Sequence, residues 1–272
     1  MRKYLYLGAT ALAAIVVSCA TNPITGKKEF NIVSNSSLFP TAFAQYDQFL
    51  KENKVITGTA AAKQVENVGI KIKNAAQKYF TSLGPPNYLD DYRWEYKLVE
   101  DKAVNAWCMP GGKIVVYSGI LPVTKDEAGL ATVMGHEVSH ALMNHGAKRM
   151  SASQVQQLGG VGVALATGNK SESTQQIWQQ VYGVGSNVGL MLPYSRAHET
   201  EADEVGLTLM AIAGYNPDEA VNFWSRMSAA SGGGAPMEIL STHPSDATRI
   251  ANLKKLIPTA KANAAKLGVN FK

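Results

Sequence analysis

The chain has 272 residues, a formal net charge of +5, 17% charged residues, two cysteines and five histidines. At 46% hydrophobic it can bury a sizeable core, which excludes a wholly disordered chain. Two cysteines exclude a disulfide scaffold, a four-cysteine zinc site and an iron–sulfur cluster. The modest positive charge forms no dense basic block and is not interleaved with aromatics, so nucleic acid is not an expected partner.

Arg2 and Lys3 open the chain, and residues 4–17 follow without a charge. That run is shorter than the ~20 apolar residues a membrane-spanning helix needs and fits the apolar region of a signal peptide. Val16-Val17-Ser18-Cys19 then places aliphatic and small residues before a cysteine, which resembles the bacterial lipobox. The resemblance implies cleavage after residue 18 and lipidation of Cys19, and a diacylated N-terminus holds a domain stably on a membrane. Ala20 after the cysteine resembles an outer-membrane sorting signal. The expected organisation is a signal peptide over 1–18, a flexible tether over 19–37 rich in Asn, Ser, Thr and Gly, and one domain over 38–272.

Residues 38–80 carry helical periodicity, with Val65, Val68, Ile72, Ala75, Ala76 and Tyr79 on one face. Gly84-Pro85-Pro86 stops that pattern. Trp94, Tyr96 and Leu98 alternate with charged residues and predict a strand over 92–99. Residues 106–109, the turn Pro110-Gly111-Gly112 and residues 113–117 read as strand, turn, strand. Thr124 and Glu127 form a capping-box pattern that would open a helix of about twenty residues. The stretch 151–192 is rich in Gly, Ala, Val and Gln and reads as closely packed helices, with a mobile flap or a membrane contact as alternatives. Helices are predicted over 196–213, 217–227 and 245–256, with a flexible loop at 231–234. Few strands in front and many helices behind predict a single α+β domain, mainly helical, with a small sheet before the capped helix.

His136-Glu137-Val138-Ser139-His140 lies inside that capped helix. Positions i and i+4 project from one helical face, so two imidazoles can each turn a nitrogen to one ion, and Glu137 can reach a water there. This is the HExxH pattern of zinc proteases. A catalytic zinc takes a third protein ligand, and the candidates are His145, His198, Glu199, Glu201 and His243. Position 146 is Gly, which removes the metzincin spacing. Glu199 and Asp203 share a helical face, so one can bind the ion while the other accepts the free ring N–H of a ligand histidine. Glu201 points the other way and reads as a solvated residue.

HEVSH, then His198-Glu199-Thr200-Glu201-Ala202-Asp203, then Thr242-His243-Pro244 with Arg249 resembles the gluzincin metallopeptidases related to HtpX, Oma and the CaaX prenyl endopeptidases. The soluble periplasmic BepA- and LoiP-type members are the nearest in pattern, over about residues 60–257. Residues 105–112 also resemble the family's strand before the HExxH helix, with Cys108 where Ala or Val is usual. Neither the multiple membrane helices of some members nor the tetratricopeptide array of BepA-type proteins is expected. The resemblance implies one zinc ion on His136, His140 and Glu199, with Glu137 as general base and acid. Asp203 is often taken in this family as a proton donor, but on a ligand histidine it reads as a support. His243 would either donate to the oxyanion or occupy a fourth zinc position in a latent state. Arg249 would orient His243 or the oxyanion, with a plain surface arginine as the alternative, while His145 reads as a packing or surface histidine and His198 as structural. The implied activity is hydrolysis of peptide bonds in misfolded or assembling envelope proteins, with a latent chaperone-like assembly factor as the alternative.

Overall fold

The computed structural model describes residues 19–22, 26, 28–31, 33–84, 87–187, 191–230, 239–240, 243 and 247–271. The signal-peptide region, the loop at 231–234, Thr242 and Pro244 lie outside them. Two short strands, β1 (Cys19–Thr21) and β2 (Lys28–Phe30), pair antiparallel. They lie in the stretch expected to carry little structure. Asn22 closes the ribbon from within, donating to Glu29 Oε1 at 2.8 Å.

The 38–80 periodicity belongs to two helices, α1 (Asn35–Glu52) and α2 (Ala60–Leu83), separated by β3 (Val55–Ile56). Thr59 caps α2 by accepting from the Ala62 N–H at 3.1 Å. Its buried stripe runs through Val65, Val68, Ile72, Ala75, Ala76 and Phe80, and it ends at Gly84 with φ 127°. β4 (Glu95–Val99), β5 (Ala106–Met109) and β6 (Lys113–Tyr117) follow. The sheet order is β3-β4-β6-β5. β4 and β6 are parallel; β5 and β6 form the expected hairpin, with Cys108 opposite Ile114. Gly111 and Gly112 turn it with φ 87° and 90°, a region that favours glycine. β5 is therefore an edge strand.

A short helix α3 (Leu121–Thr124) precedes α4 (Glu127–Leu142). Thr124 ends α3, so it does not cap α4. Asp126 does, accepting from the Gly129 N–H at 2.9 Å, and α4 is 16 residues long. The carboxylate is the better neighbour for a helix N-terminus, and Lys125 at φ 65° separates the two helices. α4 is buried on all sides from Gly129 to Leu142, packed between β5, α2 and the later helices. Leu130, Met134, Val138 and Leu142 are fully buried. Such side chains contribute roughly 1.5–3 kcal/mol each, the scale needed to carry polar groups into the same core.

Asn144, at φ 54°, breaks the chain between α4 and α5 (His145–Thr167). α6 (Glu172–Ser186) folds back along α5, so 151–187 is a helical hairpin. α7 (Leu192–Ile212) returns against α4. α8 (Glu219–Ala230) covers α4, and α9 (Ala247–Lys266), which runs ten residues past its expected end, packs across α7. The result is an α+β domain with its small sheet ahead of the buried α4.

Candidate metal centre

α4 and α7 meet glycine to glycine. A Cβ on Gly206 would sit 2.9 Å from the backbone N of His136, and one on Gly135 would sit 2.9 Å from the Gly206 carbonyl oxygen. Only side chains of hydrogen allow this approach. It brings the face of α4 that carries His136 and His140 onto the face of α7 that carries Glu199 and Asp203.

Four donors converge there: His136, His140, Glu199 and His243, with one ligand atom of each within 4.8 Å of the others. His136 Nε2 lies 3.1 Å from His140 Nε2 and 3.3 Å from Glu199 Oε2. His140 Nε2 lies 3.3 Å from Glu199 Oε1. A tetrahedral zinc with ligands at roughly 2.0–2.1 Å sets neighbouring donors about 3.3 Å apart. Spacing and chemistry of the donor set therefore fit a zinc ion held by His136, His140 and Glu199. Nδ1 of His243 is 2.9 Å from Glu199 and 3.2 Å from His136 Nε2, the position of a fourth donor.

Glu137 is buried, and its Oε1 has no hydrogen-bond partner. The nearest base is His243, with Nε2 at 3.6 Å. A buried carboxylate oxygen left open beside a donor cluster is costly unless something comes to meet it. It lines a cleft of about 460 Å³ with His140, His243, Cys108, Met109 and Pro110. Edge strand β5 forms one wall of that cleft, so an extended chain can lie alongside it.

Two contact shells hold the cluster. On one side, Asp203 Oδ1 lies 3.0 Å from Nδ1 of His136, and Arg249 clamps Asp203 with bonds of 2.6 and 2.9 Å. Arg249 in turn lies over the Trp224 ring, 3.5 Å from its centroid, and donates to the His243 carbonyl at 3.4 Å. On the other side, Nδ1 of His145 lies 2.8 Å from Nδ1 of His140, and Nε2 of His145 lies 2.8 Å from Glu201 Oε2. Glu201 also faces Lys148 at 3.6 Å and accepts from Asn22 at 3.3 Å, while Lys148 pairs with Glu29 of β2. His198 stacks on His145 with centroids 4.1 Å apart.

The electrostatics follow from these contacts. Burial and Arg249 push the His136 pKa down, but Asp203 and Glu199 outweigh them and hold it at about 9 without a metal. Burial lowers His140 to about 3, His145 to about 2 and His198 to about 3. Burial raises the Glu199 pKa, but three histidines overcome it and hold the carboxyl well below the usual range. Asp203 is likewise held down, chiefly by Arg249 and His136 against its own burial. A neutral His140 facing an ionised Glu199 matches the protonation states a zinc site requires, whereas His136 would give up its proton to an incoming ion.

The structure brings together His136, Glu137, His140, Glu199, Asp203 and His243. It places Arg249 behind His136, on Asp203. Glu201 differs from expectation. Glu201 is not a solvated helix residue, because the ribbon and α5 cover that face of α7. His145 is fully buried against a cluster histidine. One signal for it stood in the sequence: between 128 and 147 the only acid or base other than histidine is Glu137.

Residues 70–257 match the pattern of peptidase family M48. That span is more than half of the chain. The chain belongs to peptidase family M48. This M48 chain is 35% identical over 204 residues to the mitochondrial metalloendopeptidase OMA1 of Saccharomyces cerevisiae, covering 72% of the chain and 56% of the relative. It is 32% identical over 240 residues to the mitochondrial metalloendopeptidase OMA1 of Schizosaccharomyces pombe, covering 88% and 66%. It is 29% identical over 171 residues to the beta-barrel assembly-enhancing protease of Escherichia coli K12, covering 59% and 34%. The M48 chain thus spans less than two thirds of the length of each of these relatives.

Proposed function

We propose that the chain is a zinc-dependent endopeptidase of the bacterial cell envelope, tethered through a lipid on Cys19. Residues 1–18 would be its signal peptide, and its site would face the periplasm from the outer membrane. Its substrates would be misfolded or assembling envelope proteins. The observation that carries the catalytic part is Glu137, a buried carboxylate with an open oxygen beside three zinc-type donors. The lipobox-like Val16-Val17-Ser18-Cys19 and the likeness to a beta-barrel assembly-enhancing protease support the envelope part.

Zinc, when bound, supplies Lewis acidity for a scissile carbonyl and for a water. The chain's own residues do the rest. β5 receives the substrate as an added strand, its outer-edge backbone fixing an extended peptide. Glu137 Oε1 takes a proton from the attacking water and returns it to the leaving amine nitrogen. Asp203 and Arg249 fix His136, and Glu199 supplies the negative charge among the donors. His243 Nε2, on the cleft side, is in reach of the developing oxyanion. The test is wild type against Glu137→Gln, with zinc content and envelope-protein degradation followed in parallel. The reading predicts retained zinc and lost proteolysis.

The position of His243 Nδ1, 2.9 Å from Glu199, favours a second reading in which His243 closes the site in a latent, chaperone-like state. His243→Ala separates them: higher cleavage supports a closing role, and lower cleavage supports oxyanion stabilisation.

A further inference from the structure

Eleven large hydrophobic residues are exposed among the described residues, and nine of them lie on the α5–α6 hairpin. Leu158, Val161 and Leu165 form one outward stripe on α5, with Leu165 80% exposed. Ile177, Val181 and Val184 form another on α6, beside Trp178. No residue of α6 is buried. Between the helices the contacts are polar. Tyr182 donates its hydroxyl to the Gln156 carbonyl at 2.9 Å, and Gln179 donates to the Gly160 carbonyl at 3.0 Å. Gln156 donates to Ser186 at 2.8 Å. Tyr182 lies so close over Gly159 that a Cβ there would be 2.0 Å from its hydroxyl.

This is the reverse of a helix pair in water, which turns apolar faces inward and polar faces out. The sequence keeps the hairpin free of charge as well. Residues 150–169 and 173–195 contain no Asp, Glu, Lys, Arg or His, and Lys170 and Glu172 sit at the tip. No helix among the described residues is long and apolar enough to cross a membrane, so depth of insertion is limited to an interface.

The foot of the hairpin meets the start of the described chain. Lys148 and Ser151 of α5 contact Glu29 and Asn31, at the β2 end of the ribbon whose other strand begins at Cys19. A lipid on Cys19 would put the bilayer at that foot. α5 is 23 residues long, about 34 Å of helix, so the hairpin carries its apolar residues well out from that foot.

We propose that the α5–α6 hairpin lies on the lipid bilayer, with the α6 face of Ile177, Trp178, Val181 and Val184 seated at the acyl–headgroup boundary. The proposal rests on the lipid-anchor reading of Cys19. Attachment is through apolar area and not charge, so high salt does not release it. It holds the cleft at a set height and orientation above the membrane, facing chains that emerge from or insert into it.

The test uses the full chain, processed in cells and reconstituted into phosphatidylethanolamine–phosphatidylglycerol vesicles with or without brominated acyl chains. The expected result is bromine quenching of tryptophan emission that is lost in Trp178→Phe. It is also lost in Val181→Glu/Val184→Glu, although both variants still float with the vesicles. Wild-type protein that floats but shows no quenching at Trp178 overturns the hairpin proposal and leaves the anchor standing. Protein that does not float overturns both. A dimer in vesicle-free solution that Val181→Glu dissolves, without quenching in vesicles, gives the face to a second copy and overturns the lipid reading.

Discussion

Nδ1 of His145 lies 2.8 Å from Nδ1 of His140. With Nε2 of His140 turned to the donor cluster, its Nδ1 carries the proton and donates to His145, whose Nε2–H donates to Glu201. A histidine is thus interposed in the usual histidine–carboxylate support of a zinc ligand. Loss of such a partner weakens metal affinity by about 10–100-fold. His145→Ala and Glu201→Gln are expected to fall in that range in chelator competition. A merely structural role would lower the melting temperature of metal-free and metal-loaded protein equally and leave the zinc affinity unchanged.

The contact of Gly206 with the His136 backbone makes a second prediction. Gly206→Ala adds a methyl group where 2.9 Å is available, and backbone cannot yield as a side chain would. Overpacking of this kind costs about 1–3 kcal/mol. Urea unfolding should show that loss, together with weaker zinc binding, because α4 and α7 carry different ligands and must part. An exposed glycine such as Gly162, with nothing near its Cβ, should tolerate alanine.

Arg249 and Asp203 are each 6% exposed, so neither charge has water to fall back on. Breaking a buried pair by removing one partner costs about 3–5 kcal/mol. Arg249→Met should show this in urea unfolding, and adding Asp203→Asn should recover part of it. Full independence of the two substitutions would contradict the pairing.

Cys108 lines the cleft, yet burial and the nearby Glu137 push its thiol well above the ordinary cysteine pKa. A raised pKa leaves less thiolate at any given pH, and the thiolate is the nucleophile. Iodoacetamide should therefore label the Cys108 peptide slowly at neutral pH and faster only in strong alkali, as read by mass spectrometry. Rapid labelling at pH 7 would contradict this environment.

Much of the site was readable because its rules are local. His136 and His140 are one helical turn apart, Glu199 and Asp203 likewise, and neither relation needs a tertiary structure. The β5–β6 hairpin was readable from the turn Pro110-Gly111-Gly112 between two short runs. His145 was not, because Asn144 at φ 54° restarts the helix and ends the periodicity that placed His140. Glu201 was not, because its face of α7 is covered by Asn22 and Lys148, and Asn22 is 179 residues away in sequence. The N-terminal ribbon escaped notice for the same reason: short polar strands carry no pattern of their own and are fixed by what they pack against.

Glu137 is proposed to move the proton in a zinc-dependent peptide hydrolysis, and casein cleavage with zinc-loaded wild type and zinc-loaded Glu137→Gln checks this. Equal zinc content, chelator-sensitive cleavage by the wild type and none by the variant are expected. Undiminished cleavage by zinc-replete Glu137→Gln would contradict it.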